Sequence, residues 1–248
     1  WWLDGLPFSI TLMVILLSHE LGHFLFSRYH QVPASLPYFI PAPNLVGTFG
    51  AIIFMKGRIR DRRALLDIGS AGPLAGFVVS LFAMYIGVQT AQLIPFEESE
   101  TLILFQPNLL IYWSFKFWLP NITPDMVIQS PILDAAWVGF FVTMLNLLPI
   151  GQLDGGHIAY ACFGERTHYL SWAMVVILFI MGFLFWMGWL FFGIFALLLM
   201  GPRGIKHPPP IYPQIRLNGI RKLIAFLALL VFGLCFIPTP FVVVSQLP

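Results

Sequence analysis

Ile10-Thr11-Leu12-Met13-Val14-Ile15-Leu16-Leu17-Ser18-His19-Glu20-Leu21-Gly22-His23 is an apolar run that closes on two histidines and a glutamate. The run lies in a stretch from Phe8 to Tyr29, long enough for a helix to cross the hydrocarbon core of a bilayer, which takes about 20 apolar residues. On such a helix residues four apart differ by only about 40° in direction and about 6 Å along the axis. His19 and His23 therefore face the same way and can grip one ion. An isolated charge at the bilayer centre costs about 2.5–3.5 kcal/mol on insertion scales, so this cluster is expected to face a cavity or a partner. Two neutral imidazoles, an acidic ligand from elsewhere and an open position for water make a catalytic zinc site. Glu20, next to the first ligand, is placed to take the proton from that water.

The rest of the 248 residues agrees with a membrane setting: 58% are hydrophobic and only 10% charged, against roughly 25% charged in an ordinary soluble domain. With 13 Lys plus Arg against 11 Asp plus Glu, the formal net charge of +2 gives no footprint for nucleic acid. Cys162 and Cys235 both sit in apolar stretches, which excludes a disulfide framework or a cysteine-rich metal cluster. No secretory signal is evident. The chain opens on Trp1 rather than methionine, which suggests a trimmed N-terminus and leaves room for an earlier span.

The best candidate for the third ligand is Asp154, in Asn146-Leu147-Leu148-Pro149-Ile150-Gly151-Gln152-Leu153-Asp154-Gly155-Gly156-His157. Its proline and glycines are expected to break or unwind the helix and let the backbone bend close to another segment, with Asp154 hanging from the bend. A dication would keep that carboxylate ionised. His157 is an alternative ligand, but a structural role, or a hydrogen bond to a ligand, is favoured for it. Asn146 has two readings of equal weight: an interhelical hydrogen bond, or an amide that positions substrate or stabilises an oxyanion. Glu165 is the rival carboxylate, in a zinc enzyme with a glutamate as third ligand.

The expected spans are Phe8 to Tyr29, Ile68 to Leu93, Ile132 to Leu148 and Leu223 to Val244. As one helix, Tyr169 to Met200 would be about 48 Å long, so a hairpin of two short helices turning near Met187-Gly188 is expected. Leu102 to Leu119 is interrupted by Pro107 and Lys116, which fits a re-entrant or interfacial segment as well as a crossing. Arg58, Arg60, Arg62 and Arg63 follow the first span, while Arg203, Lys206, Arg216, Arg221 and Lys222 precede the last. Both clusters belong on the cytosolic or stromal side, and the hairpin gives the parity that puts them there. Pro33, Pro37, Pro41 and Pro43 exclude a helix after the first span. Thr48 to Met55 is β-prone, either a plain connecting loop or an edge offering hydrogen bonds to an extended substrate. Gly72 and Gly76 open the second span with the spacing that lets helices pack closely.

His19-Glu20-Leu21-Gly22-His23, Gly72-Pro73, Asn146-x-x-Pro149 and Leu153-Asp154-Gly155 together resemble the site-2 protease family of intramembrane zinc metalloproteases, over about 140 of the 248 residues. Gly47-Thr48-Phe49-Gly50 to Gly76, and Gly151 to His157, are particularly similar to cyanobacterial and plastid-type members without a PDZ domain. The resemblance implies one Zn2+ held by His19, His23 and Asp154, with Glu20 as catalytic acid/base. The expected fold is an all-α polytopic membrane protein, a bundle of about six transmembrane helices with a small membrane-surface β element after the first. A single protease domain is expected over 1–248, with residues 8–163 carrying the metal site, 169–248 forming the C-terminal helices, and no soluble domain. The expected partners are the lipid bilayer and single-pass transmembrane substrates, in a bacterial inner membrane or a plastid membrane. The competing functions are a transporter with an ion pathway and a catalytically silent scaffold of the same fold.

Overall fold

The computed structural model describes residues 5–41, 48–95, 102–119, 126–204 and 207–244. The chain runs α1 (Leu6–Tyr29), β1 (Tyr38–Pro41), β2 (Thr48–Ile52), α2 (Arg62–Gln89), β3 (Gln92–Pro95), β4 (Leu102–Phe105), α3 (Leu109–Trp118), β5 (Met126–Gln129), α4 (Pro131–Asn146), α5 (Asp154–Phe163), a 3-10 turn (Gly164–Arg166), α6 (Thr167–Leu184), α7 (Gly188–Gly204), α8 (Gly219–Cys235) and β6 (Phe241–Val244). The fold is mostly helical, with α2 at the centre against α1, α4, α5 and α8. Close approach comes from small residues, the packing device of helices in lipid. At Gly22 a Cβ atom would stand 2.5 Å from the Ala71 carbonyl oxygen, and at Gly87 the same distance from the Leu133 nitrogen.

Helix starts follow local capping chemistry. The Asp61 carboxylate accepts from the backbone N–H groups of Arg63 and Ala64, both at 2.9 Å, so α2 begins six residues before the expected Ile68. Ser130, followed by Pro131 at the first helical position, starts α4. Its hydroxyl also donates to the Gly87 carbonyl at 2.8 Å, tying α4 to α2.

Among the described residues, three helical stretches are long and apolar enough to cross a membrane: Leu6–Tyr29, Arg62–Gln89 and Asp154–Leu184. At 16, 17 and 17 residues, α4, α7 and α8 fall short of the ~20 of an ordinary crossing. The expected count of about six transmembrane helices therefore does not follow from helix length. The third long stretch begins at Asp154 rather than Tyr169, because α5 leads through the 3-10 turn into α6. The hairpin turn falls between Leu184 and Gly188, beside the expected place. Leu102 to Leu119 is a strand followed by a ten-residue helix, too short to cross.

The expected last span, Leu223 to Val244, is corrected at its far end. Helix α8 stops at Cys235, and past Pro238 and Pro240, which cannot continue it, residues 241–244 form β6. Strand β6 pairs antiparallel with β4, and β3 with β5; neither pair was expected in an all-α protein. The third pair, β1 with β2, is the expected small β element after the first helix. Pro43 and Gly47 lie outside the described residues.

The two basic segments meet. The Ile211 N–H donates to the Ile59 carbonyl at 3.1 Å, the Tyr212 N–H to the Arg60 carbonyl at 2.8 Å, and Arg63 Nε to the Arg216 carbonyl at 2.9 Å. The two segments are thus direct neighbours in the fold.

Candidate metal centre

Helix α1 presents His19 and His23 from successive turns, and α5 presents Asp154 from its first residue, where the partial positive charge of a helix N-terminus favours a carboxylate. Asp154 is helical rather than suspended from an unwound bend. The bend lies just before it, in residues 147–153, with Gly151 at a φ of +50°. A side chain on Gly155 would overlap the Leu147 carbonyl, and one on Gly156 the Gly151 carbonyl. Bare glycines thus let the start of α5 fold back onto the loop that leads into it.

His19 Nε2 and His23 Nε2 are 3.1 Å apart. Asp154 Oδ2 is 3.2 Å from the first and Oδ1 3.3 Å from the second. Zinc–ligand bonds of about 2.0–2.1 Å at tetrahedral angles put ligand atoms roughly 3.3–3.4 Å apart, so each of these separations is close to a zinc ligand–ligand distance, with the carboxylate straddling the two imidazoles through one oxygen each. The donor chemistry fits as well. His23 Nδ1 lies 2.8 Å from the Ile68 carbonyl and donates its hydrogen there, which leaves the Nε2 lone pair turned to the centre of the triangle. Nitrogen lone pairs and a carboxylate converging this closely repel one another unless a cation or proton lies between them, and a dication satisfies all three.

Gly72 makes room for this arrangement. A Cβ atom at that position would overlap the His23 imidazole, standing 2.5 Å from both Cδ2 and Cε1, while one at Gly76 would touch the His19 Cβ at 3.3 Å. The packing role expected for these glycines is directed at the histidines themselves. Gly72→Ala should weaken zinc binding at least about tenfold, the lower end of what disturbing a ligand's support costs. Chelator competition would measure this, with circular dichroism to verify that the helices persist.

The triangle opens on a cavity of about 410 Å³ whose lining includes Glu20, Asn146, Gln152, His157 and, along one wall, Ala51, Ile52, Ile53 and Met55. Glu20 is partly exposed to it. Asn146, the last residue of α4, brings its amide nitrogen to 3.4 Å from His19 Nε2. His157 turns Nδ1 toward His207 Nε2 and makes a hydrogen bond there. Glu165, the rival carboxylate, is exposed in the 3-10 turn and lines a different pocket, with Tyr160 and His168. Among the described residues, His19, His23 and Asp154 form the one group of three or more ligand-type side chains close enough to share an ion. The Ile68 carbonyl, a backbone atom, left no mark in the sequence. The cavity wall from β2 onward was legible only as a β-prone run.

The chain matches a family model described as Peptidase family M50 over residues 7–189. It is 37% identical over 172 residues to a probable zinc metalloprotease, EGY1, chloroplastic, of Arabidopsis thaliana, covering 66% of this chain and 30% of that protein. Over 170 residues it is 31% identical to a probable zinc metalloprotease, EGY2, chloroplastic, of the same plant, with coverages of 66% and 30%. The corresponding EGY1 protein of Oryza sativa subsp. japonica is 36% identical over 168 residues, with coverages of 65% and 29%. The aligned stretch thus spans less than a third of the length of these relatives.

Proposed function

The chain belongs to peptidase family M50, and from that premise we propose that it is a zinc metalloendopeptidase hydrolysing peptide bonds in or near the transmembrane segments of membrane-protein substrates. The observation that carries this reading is the triangle of His19, His23 and Asp154, with Glu20 lining the same cavity. His19, His23 and Asp154 would hold the ion. An ion bound there would supply Lewis acidity to the scissile carbonyl and to a water molecule.

Glu20 takes a proton from the attacking water as the water oxygen bonds to the carbonyl carbon. It then delivers the proton to the amide nitrogen as the C–N bond breaks, so that the products are a carboxyl group and an amine. Asn146 donates its amide hydrogen to the carbonyl oxygen as negative charge builds there. The cavity wall from Ala51 to Met55 suits a substrate segment drawn out beside β2, where main-chain hydrogen bonds could hold it. A helical substrate hides its carbonyls in its own hydrogen bonds, so it must first unwind; glycine and proline in its span ease that step.

The chloroplastic relatives support a plastid-type membrane. The adjoining basic segments support a stromal or cytosolic face for the end of the bundle where they meet. The test is direct. Protein purified in detergent and loaded with zinc, incubated with single-pass substrates carrying glycine or proline in their spans, should cleave them. A chelator should stop the reaction and added zinc restore it. A zinc-replete preparation that leaves such substrates whole would overturn the proposal. Asn146→Ala should lower turnover about 10²-fold with zinc content unchanged; were the amide only an interhelical tie, thermal stability would fall and turnover would not.

A further inference from the structure

One residue before the carbonyl that orients His23 stands a buried carboxylate outside the metal triangle. Asp67, 7% exposed, accepts two hydrogen bonds in a fork from Arg221: Nε to Oδ1 at 2.9 Å and Nη2 to Oδ2 at 2.6 Å. His30 Nε2 lies 2.9 Å from the same Oδ2. The cluster joins three elements: the residue that follows α1, the second turn of α2 and the first turn of α8. It is costly to dismantle, because removing one partner leaves the others buried and uncompensated.

The connection to the metal centre is covalent and short. Asp67 and Ile68 are successive residues of one helix, so wherever Asp67 is held, the Ile68 carbonyl follows. That carbonyl accepts the Nδ1 hydrogen of His23, and such partners of ligating histidines fix tautomer, ring orientation and basicity. The helix that carries His23 is itself braced against Asp67, through His30 at its C-terminal end.

We propose that Asp67, braced by Arg221 and His30, is a positioning residue for the metal centre: it holds the Ile68 carbonyl against His23 Nδ1 and so sets how tightly His23 grips a divalent cation. Because Arg221 lies in the first turn of α8, the seating of that helix is thereby coupled to metal affinity. The inference rests on the reading of His19, His23 and Asp154 as zinc ligands.

The test uses the full chain in detergent, stripped of metal, and titrates Zn2+ against a chromophoric chelator; the visible spectrum of the Co2+ form is recorded in parallel. In Asp67→Asn and Arg221→Gln the dissociation constant for Zn2+ should rise about tenfold, with altered intensity of the Co2+ bands. Arg221→Lys, which keeps the charge, should recover most of the affinity. A structural clamp alone would lower thermal stability while leaving the affinity and spectrum of the loaded protein at parental values, and that result in either variant overturns the inference. Should Asp67→Asn fail to fold, Arg221→Gln decides, since it leaves Asp67 paired with His30. A parent that takes up no Zn2+ would overturn the ligand assignment and the inference with it, and so is distinguishable from parental affinity in the variants.

Discussion

Glu20→Gln should abolish cleavage, with a loss of about 10⁴-fold at the upper end of what a positioned acid/base contributes, while zinc is still taken up at one ion per chain with parental affinity. Glutamine keeps the size of glutamate and its place in the cavity wall but accepts no proton at neutral pH. The water then loses its base and the leaving amine its acid in one substitution. Metal uptake should not change, because the ligands proposed are His19, His23 and Asp154, and Glu20 is not among them. Single-turnover cleavage of a membrane substrate, with zinc content measured on the same preparation, checks both halves. Residual activity within tenfold of the parent would remove Glu20 from the mechanism.

Asp154→Ala should separate the other way, losing zinc and activity together. Removing the one anionic member of the triangle should raise the dissociation constant by more than about 100-fold, beyond the range for outer partners of ligands. The loss also has a thermal reading. A ligand present at 100 times its dissociation constant stabilises the folded state by about 2.7 kcal/mol, so zinc should raise the parent's melting temperature and leave that of Asp154→Ala nearly unmoved. An unchanged zinc affinity in this variant would exclude Asp154 as a ligand.

The two histidines were legible in the sequence because helical periodicity alone puts residues four apart on one side. Asp154 needed a chemical argument, since it lies 131 positions beyond His23, and the glycines beside it supplied one. Its helical state was not foreseen: Gly155 and Gly156 read as helix breakers, yet in the fold they are what lets the start of α5 sit on the carbonyls of Leu147 and Gly151. The end of α8 departs from the expected span for a different reason. Phe241 to Val244 is apolar enough for a span, but Pro238 and Pro240 end the helix, and the strand's partner, β4, is far away in sequence. Asp67 carries only a faint signal in the sequence. A carboxylate one residue before an apolar run is unremarkable at a helix start, until the helix proves to begin at Arg62 and the residue to be buried.

The pairing of β4 with β6 has a consequence for biogenesis. A ribosome delivers β4 before α3 and its partner only after α3 to α8 have all been made, so the edge of β4 stays unmatched throughout that interval, a standing invitation to wrong pairings. His19, His23 and Asp154 have all emerged before α8 exists. The residues proposed to hold the ion are thus present while β4 still waits for β6 and before Arg221 is made, so full metal affinity should arrive only once α8 is seated against Asp67.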